Sequence, residues 1–142
     1  MSMKLLIFLF FILFGRDLNA QSKDLIPSFI KGVYKDDYGS EYLIDNLVWK
    51  QFPNSLYHII KVNKVNNFII AKNDMGNKTD GGLFTRIDFV QLKNMYPYTW
   101  AFCLSEYNAK TDSAAEYGYK ANRDNLMKGC NGFPFSRMKS AQ

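Results

Sequence analysis

Between Phe29 and Glu106 the chain is cut into short apolar–polar alternating runs by clusters of turn-forming residues, and no other feature restricts its fold as strongly. The runs are FIKGVYK (29–35), SEYLID (40–45), LVWKQF (47–52), SLYHIIKV (55–62), NFIIAKN (67–73), LFTRIDFVQL (83–92) and TWAFCLSE (99–106). Alternation with period two marks strands that bury one face, and the regular spacing is that of an all-β sandwich or barrel. The breaks are DDYG, DN, PN, NKVN, DMGNKTDGG and KNMYP, rich in residues that adopt turn geometry. None is long enough to hold a crossover helix, so neighbouring strands must pair antiparallel. Closure of such a meander removes its exposed edges, so the expectation is a small antiparallel β-barrel, with a C-terminal helix after Glu106.

The helix is read from Ser113, followed three residues later by Glu116, a capping-box spacing. Gly118 weakens it by about 1 kcal/mol relative to Ala, so packing or a nearby cross-link must hold it. A second helical turn is expected at NRDNLMK, stopped by Gly129, which gives a helical segment over about 113–128. The tail NGFPFSRM is expected to pack back across the sheet or the barrel mouth.

The amino-terminal stretch MSMKLLIFLFFILFGRDLNA has the layout of a secretory signal peptide: Lys4, an apolar run from Leu5 to Phe14, then polar residues and Ala20. The run is shorter than the ~20 apolar residues needed to span a bilayer. Residues 1–20 are therefore read as a signal and 21–142 as one exported domain, secreted or periplasmic. LNAQ also resembles a lipoprotein cleavage box, but Gln21 stands where the lipidated cysteine would be. Cleavage would lower the net charge only from +5 to +4, and no block of Lys or Arg marks a nucleic-acid stripe. Cys103 and Cys130 are two lone cysteines in a small exported domain, for which a disulfide is the expected state. Closing that loop is worth roughly 3–4 kcal/mol in the chain-entropy model.

No catalytic or metal site is expected. His58, the one histidine, shares a strand face with Leu56, Ile60 and Val62 and reads as a core or edge histidine, without a nucleophile beside it. Asp36, Asp37, Asp45 and Asp88 meet only if the barrel brings them together. DMGNKTDGG lacks the acidic spacing and closing glutamate of a calcium loop, and Asn77 is a glycosylation acceptor only in a eukaryotic host. No cofactor is implied.

The best functional lead is the pair Arg86 and Asp88 in FTRIDFV. One face of that strand carries Leu83, Thr85, Ile87 and Phe89; the other carries Phe84, Arg86, Asp88 and Val90. If the first face is the core, the pair is an exposed bridge worth under about 1 kcal/mol. If the second face is inside, the pair is a buried polar site for a small ligand, walled by Trp49, Tyr57, Trp100 and Tyr42, with Tyr34 as a further hydrogen-bonding partner.

The segments IKGVYKDDYGSEYLIDNLVW, TRIDF, WAFCLSEYNAKTDSAA and GCNGFPFS together resemble a group of small exported, mainly bacterial proteins. That group shows S/T-R-x-D-W/F and G-C-x-G-F-x-W/F-S patterns in this order, and the likeness runs from Ile30 to Ser136. It implies one exported domain with Arg86, Asp88, Cys103 and Cys130 in defined places, and no catalytic residue. Thr85, Phe89 and Phe135 depart mildly from the pattern. The general plan, with GVY (32–34) in an early strand, is also lipocalin-like in architecture. The expected function is non-catalytic binding of a small molecule by a monomer. The alternative is a secreted interaction or inhibitor module with a solid core, and a small hydrolase is the third class.

Overall fold

The computed structural model describes residues 25–142; the signal-peptide reading falls on residues outside that range. Eight strands follow one another as a meander and close into a barrel: β1 (Gly32–Asp36), β2 (Glu41–Ile44), β3 (Val48–Gln51), β4 (Ser55–Asn63), β5 (Phe68–Asn73), β6 (Phe84–Gln91), β7 (Tyr98–Ala109) and β8 (Ser136–Ser140). Every neighbouring pair is antiparallel, as the short connections require. Closure is made by β8, which lies between β7 and β1 and pairs Trp100 with Met138 and Tyr34 with Ser140. The tail was expected only to pack across the sheet or mouth; instead it supplies the eighth strand, because SRMKS (136–140) buries Met138 inward and leaves its neighbours outward.

The first expected strand starts three residues late. Ser28–Ile30 form a turn of 3₁₀ helix, and Ile26 and Ile30 are buried in the same cluster as the barrel interior, so residues 26–30 stopper one end. Gly32 then turns the chain into β1 at φ +137°, a conformation that side-chain-bearing residues rarely adopt.

The interior is filled by side chains. Tyr34, Tyr42, Ile44, Trp49, Ile59, Val62, Ile69, Ile87, Phe89, Trp100, Phe102 and Met138 form one buried cluster. Its aromatic half is locked edge-to-face: Trp49 lies 4.9 Å from Phe102 and 5.7 Å from Trp100, Tyr42 5.5 Å from Phe102, and Tyr34 5.2 Å from Trp100. Such ring pairs add ~0.5–1.5 kcal/mol each beyond area burial.

On β4 the simple alternation fails. Register slips between Ile59 and Lys61, so Tyr57, Ile59 and Val62 face inward while Ile60 is exposed. The expected face of Leu56, His58, Ile60 and Val62 is thereby split. His58 is exposed, not a core histidine, and its Nε2 lies 2.8 Å from Asp74 Oδ1 in the β5–β6 loop.

The remaining chain, from Ala109 to Phe135, packs on the outside of the barrel wall. Its helix, α1 (Asp112–Tyr117), begins earlier than expected, because Thr111 is the cap, its hydroxyl accepting from the Ala114 amide at 3.0 Å. Gly118 is its C-cap residue. Residues 122–129 form turns, not a second helical stretch, with Asn122 N donating to Gly129 O and Gly129 N to Asn125 O. Gly129 serves close approach, not a left-handed stop: a Cβ there would lie 1.9 Å from Asn122 O. The Cys103–Cys130 disulfide is formed, with Cα atoms 5.6 Å apart, and pins this segment to β7.

Candidate binding site on the outer wall

Strands β5, β6 and β7 are buried on both faces. Thr85, Ile87 and Phe89 look into the barrel, as the more apolar face of FTRIDFV suggests, so Arg86 and Asp88 point outward. Yet they are not exposed: Arg86 is 2% and Asp88 0% accessible, because the C-terminal segment covers them. Both sequence-based alternatives are corrected. The pair is neither a solvated bridge nor part of the barrel interior, since a third layer of chain lies over this wall.

Two apolar clusters seat that layer. Ala115 of α1 packs on Phe68, Ile70 and Ala109, and Ala121 and Phe135 of the disulfide-linked segment pack on Ala101 and Cys103. Between them sits the polar node. Arg86 Nε and Nη2 donate to the Asp88 carboxylate at 3.0–3.2 Å, and Nη1 donates to Glu116 O at 2.6 Å. The guanidinium lies 3.9 Å over the Phe68 ring, a cation–π contact.

Asp88 has donors on every side. It accepts from Arg86, from the Ser105 hydroxyl, from the Ala121 amide at 3.0 Å and from Arg123 Nη2 at 2.9 Å. Arg123 also donates to Phe89 O, Asn66 O and Asn67 O, so one guanidinium ties the β4–β5 turn, β6 and the C-terminal segment together. A buried carboxylate is tolerated only with such saturation.

The expected walls of a ligand site are elsewhere. Trp49, Trp100 and Tyr42 are buried inside the barrel and Tyr57 is half-buried against the same cluster, on the opposite side of β6 from Arg86. Tyr42 donates to Asp36 Oδ2 at 2.8 Å and Tyr34 to Phe29 O at 2.8 Å, so neither serves Arg86 or Asp88. Sequence reasoning missed Ser105, Lys120 and Arg123. Lys120 and Arg123 do form a short basic step beside NRDN, but nothing in the spacing points it at Asp88.

Next to the node an open pocket of about 420 Å³ is lined by Val65, Asn66, Asn67, Phe68, Arg86, Lys120 and Arg123. A second groove, about 400 Å³ and more apolar, is lined by Asp37, Tyr38, Met95, Leu126, Met127, Pro134, Phe135 and Arg137. Arg137 there is held by Asp37 at 2.9 Å and lies over the Tyr98 ring.

The four aspartates do not converge. Asp36 binds Tyr42 and the Tyr38 and Ser40 amides, Asp37 binds Arg137, and Asp45 binds the Leu47 and Val48 amides, which hold its carboxyl below the usual range. The Asn77 side chain bonds both main-chain groups of Leu56, its Oδ1 accepting from the Leu56 amide and its Nδ2 donating to Leu56 O, each at 2.9 Å. Among the described residues, no three His, Cys, Asp or Glu side chains gather as a metal site, and no helix is long and apolar enough to cross a membrane.

Fold and site together define a filled, disulfide-pinned, eight-stranded antiparallel barrel with a buried Arg86–Asp88 pair on its outer wall, capped by the half-buried Arg123. No family model, no curated protein and no solved structure matches the chain.

Proposed function

We propose that this is an exported, non-catalytic interaction module, in which the barrel is a rigid scaffold and recognition of a protein partner occurs on its outer surface. The observation that carries this reading is the packed interior: Trp49, Trp100, Phe102 and Tyr42 occupy the space where a lipocalin-type ligand would sit. Their buried rings leave recognition to the outside.

The groove at Tyr38, Met95, Leu126, Met127 and Pro134 supports the choice of a protein partner. Met127 and Tyr38 are 70% and 71% exposed. Methionine and tyrosine are enriched at interfaces, where flexible or amphipathic side chains adapt to a partner. Disulfide pinning of the segment that carries Leu126 and Met127 suits an oxidising compartment.

The test is site-specific photo-crosslinking in the native host, with the crosslinker at Met127 and, as control, at Ile60 on the exposed side of β4. A discrete protein adduct from position 127 alone is expected. Native mass spectrometry that finds a bound small molecule lost on denaturation, with no adduct from position 127, overturns the reading.

A further inference from the structure

The pocket beside the Arg86 node has an unusual charge balance. Arg86, Lys120 and Arg123 line it, and no carboxylate among the described residues does. Asp88, lying beneath with no accessible surface, neutralises one of the three cations, which leaves a local excess of two positive charges. If the node served only to fasten the C-terminal segment, one guanidinium would balance Asp88 and a neutral donor would complete it.

Donor capacity is also left over. Arg86 uses Nε, one N–H of Nη1 and one of Nη2 in its bonds, from the five N–H groups a guanidinium carries. Arg123 Nη1 makes no hydrogen bond to a described residue, since all its contacts use Nε and Nη2. Lys120 is exposed and forms no ion pair among the described residues. Arg86 is moreover fixed, stacked on Phe68 and bonded to Glu116 O, so a ligand pays little to order it.

We infer that this pocket binds a dianionic oxyanion group, a phosphate or phosphate monoester, through Arg86, Arg123 and Lys120. Two net charges match a dianion, and guanidinium edges suit the oxygens of a phosphate. The turn residues Asn66 and Asn67 also line it, and their carbonyls hold Arg123 Nη2 in place. The volume exceeds that of a bare phosphate, leaving room for a small organic group. This site is separate from the Tyr38–Met127 groove, and it does not rest on the protein-partner reading.

The experiment is titration of the full ¹⁵N-labelled domain with inorganic phosphate, with phenyl phosphate and with acetate, at constant ionic strength, following amide shifts. Expected are saturable shifts confined to Asn66–Phe68 and Lys120–Arg123, with acetate weaker than either phosphate. Tighter binding of phenyl phosphate assigns the site to an organic phosphate, and tighter binding of inorganic phosphate to the free ion. Lys120→Glu, at an exposed position, is expected to weaken binding by about tenfold or more while the melting midpoint is unchanged. Shifts that never saturate, that spread over the surface lysines, that persist unchanged in Lys120→Glu, or that acetate reproduces at equal affinity would falsify the assignment.

Discussion

At the scale of single residues, Asp88 is the position on which most of the outer wall depends. Its carboxylate is fully buried and collects donors from Arg86, Ser105, Ala121 and Arg123. Removing one partner of a buried pair leaves the other charge without compensation, a loss of about 3–5 kcal/mol. Asp88→Ala is therefore expected to lower the unfolding free energy by that amount in urea titration. The double variant Arg86→Ala/Asp88→Ala should cost less than the sum of the two single changes, because it removes both charges together. An additive result would mean that the two residues act independently. The importance of this pair was legible in FTRIDFV, since two opposite charges two apart in a strand must share a face. Its surroundings were not legible: the covering residues Ala121 and Arg123 lie 33 and 35 positions away, and nothing local encodes such a contact.

At the scale of elements, strands were easier to read than the C-terminal segment. Period-two alternation and the turn residues between the runs located β1 to β7 within a few residues. The slip at Ile59 and Lys61 escaped it, because a bulge changes which residues face inward without changing composition. β8 follows an irregular stretch, and its strand character comes from pairing with β1 and β7. It is also the element that closes the barrel. Deleting residues 136–142 exposes the edges of β1 and β7 and removes the fully buried Met138. The truncated chain is expected to lose cooperative unfolding and near-ultraviolet dichroism, and to associate at the open edges. Retention of a cooperative transition at the parent midpoint would show that closure is dispensable.

At the scale of the whole molecule, the filled barrel makes a common environment for Tyr34, Tyr42 and Tyr57, and burial is the first cause raising the pKa of each phenol. For Tyr42 the hydrogen bond and charge of Asp36 push in the same direction. A phenol whose folded pKa is raised binds its proton more tightly in the folded state. Its contribution to stability is complete below the unfolded value of 10.0 and is lost as pH rises from there through the folded value. Denaturant midpoints should therefore stay level through neutral pH and fall above about pH 10. Phenolate absorbance in the folded protein should lag behind that of the urea-unfolded chain. A midpoint that is level across the alkaline range would mean that these phenols titrate freely.

The same scale separates what sequence alone determined from what tertiary structure decided. The antiparallel barrel follows from the alternation and connection lengths, which are local properties, whereas alternation in FTRIDFV left open whether Ile87 and Phe89 or Arg86 and Asp88 face inward. The pairing of the two cysteines follows from their number and the expected compartment. The third layer does not follow from either. Whether the outer face of β6 meets water or chain depends on where residues 109–135 return, and that path is set by packing of Ala115, Ala121 and Phe135 and by the Cys103–Cys130 link. Tertiary structure alone thus turned Arg86 and Asp88 from a surface pair into a buried node beside a basic pocket, because burial is a property of what lies above a residue and not of the residue itself.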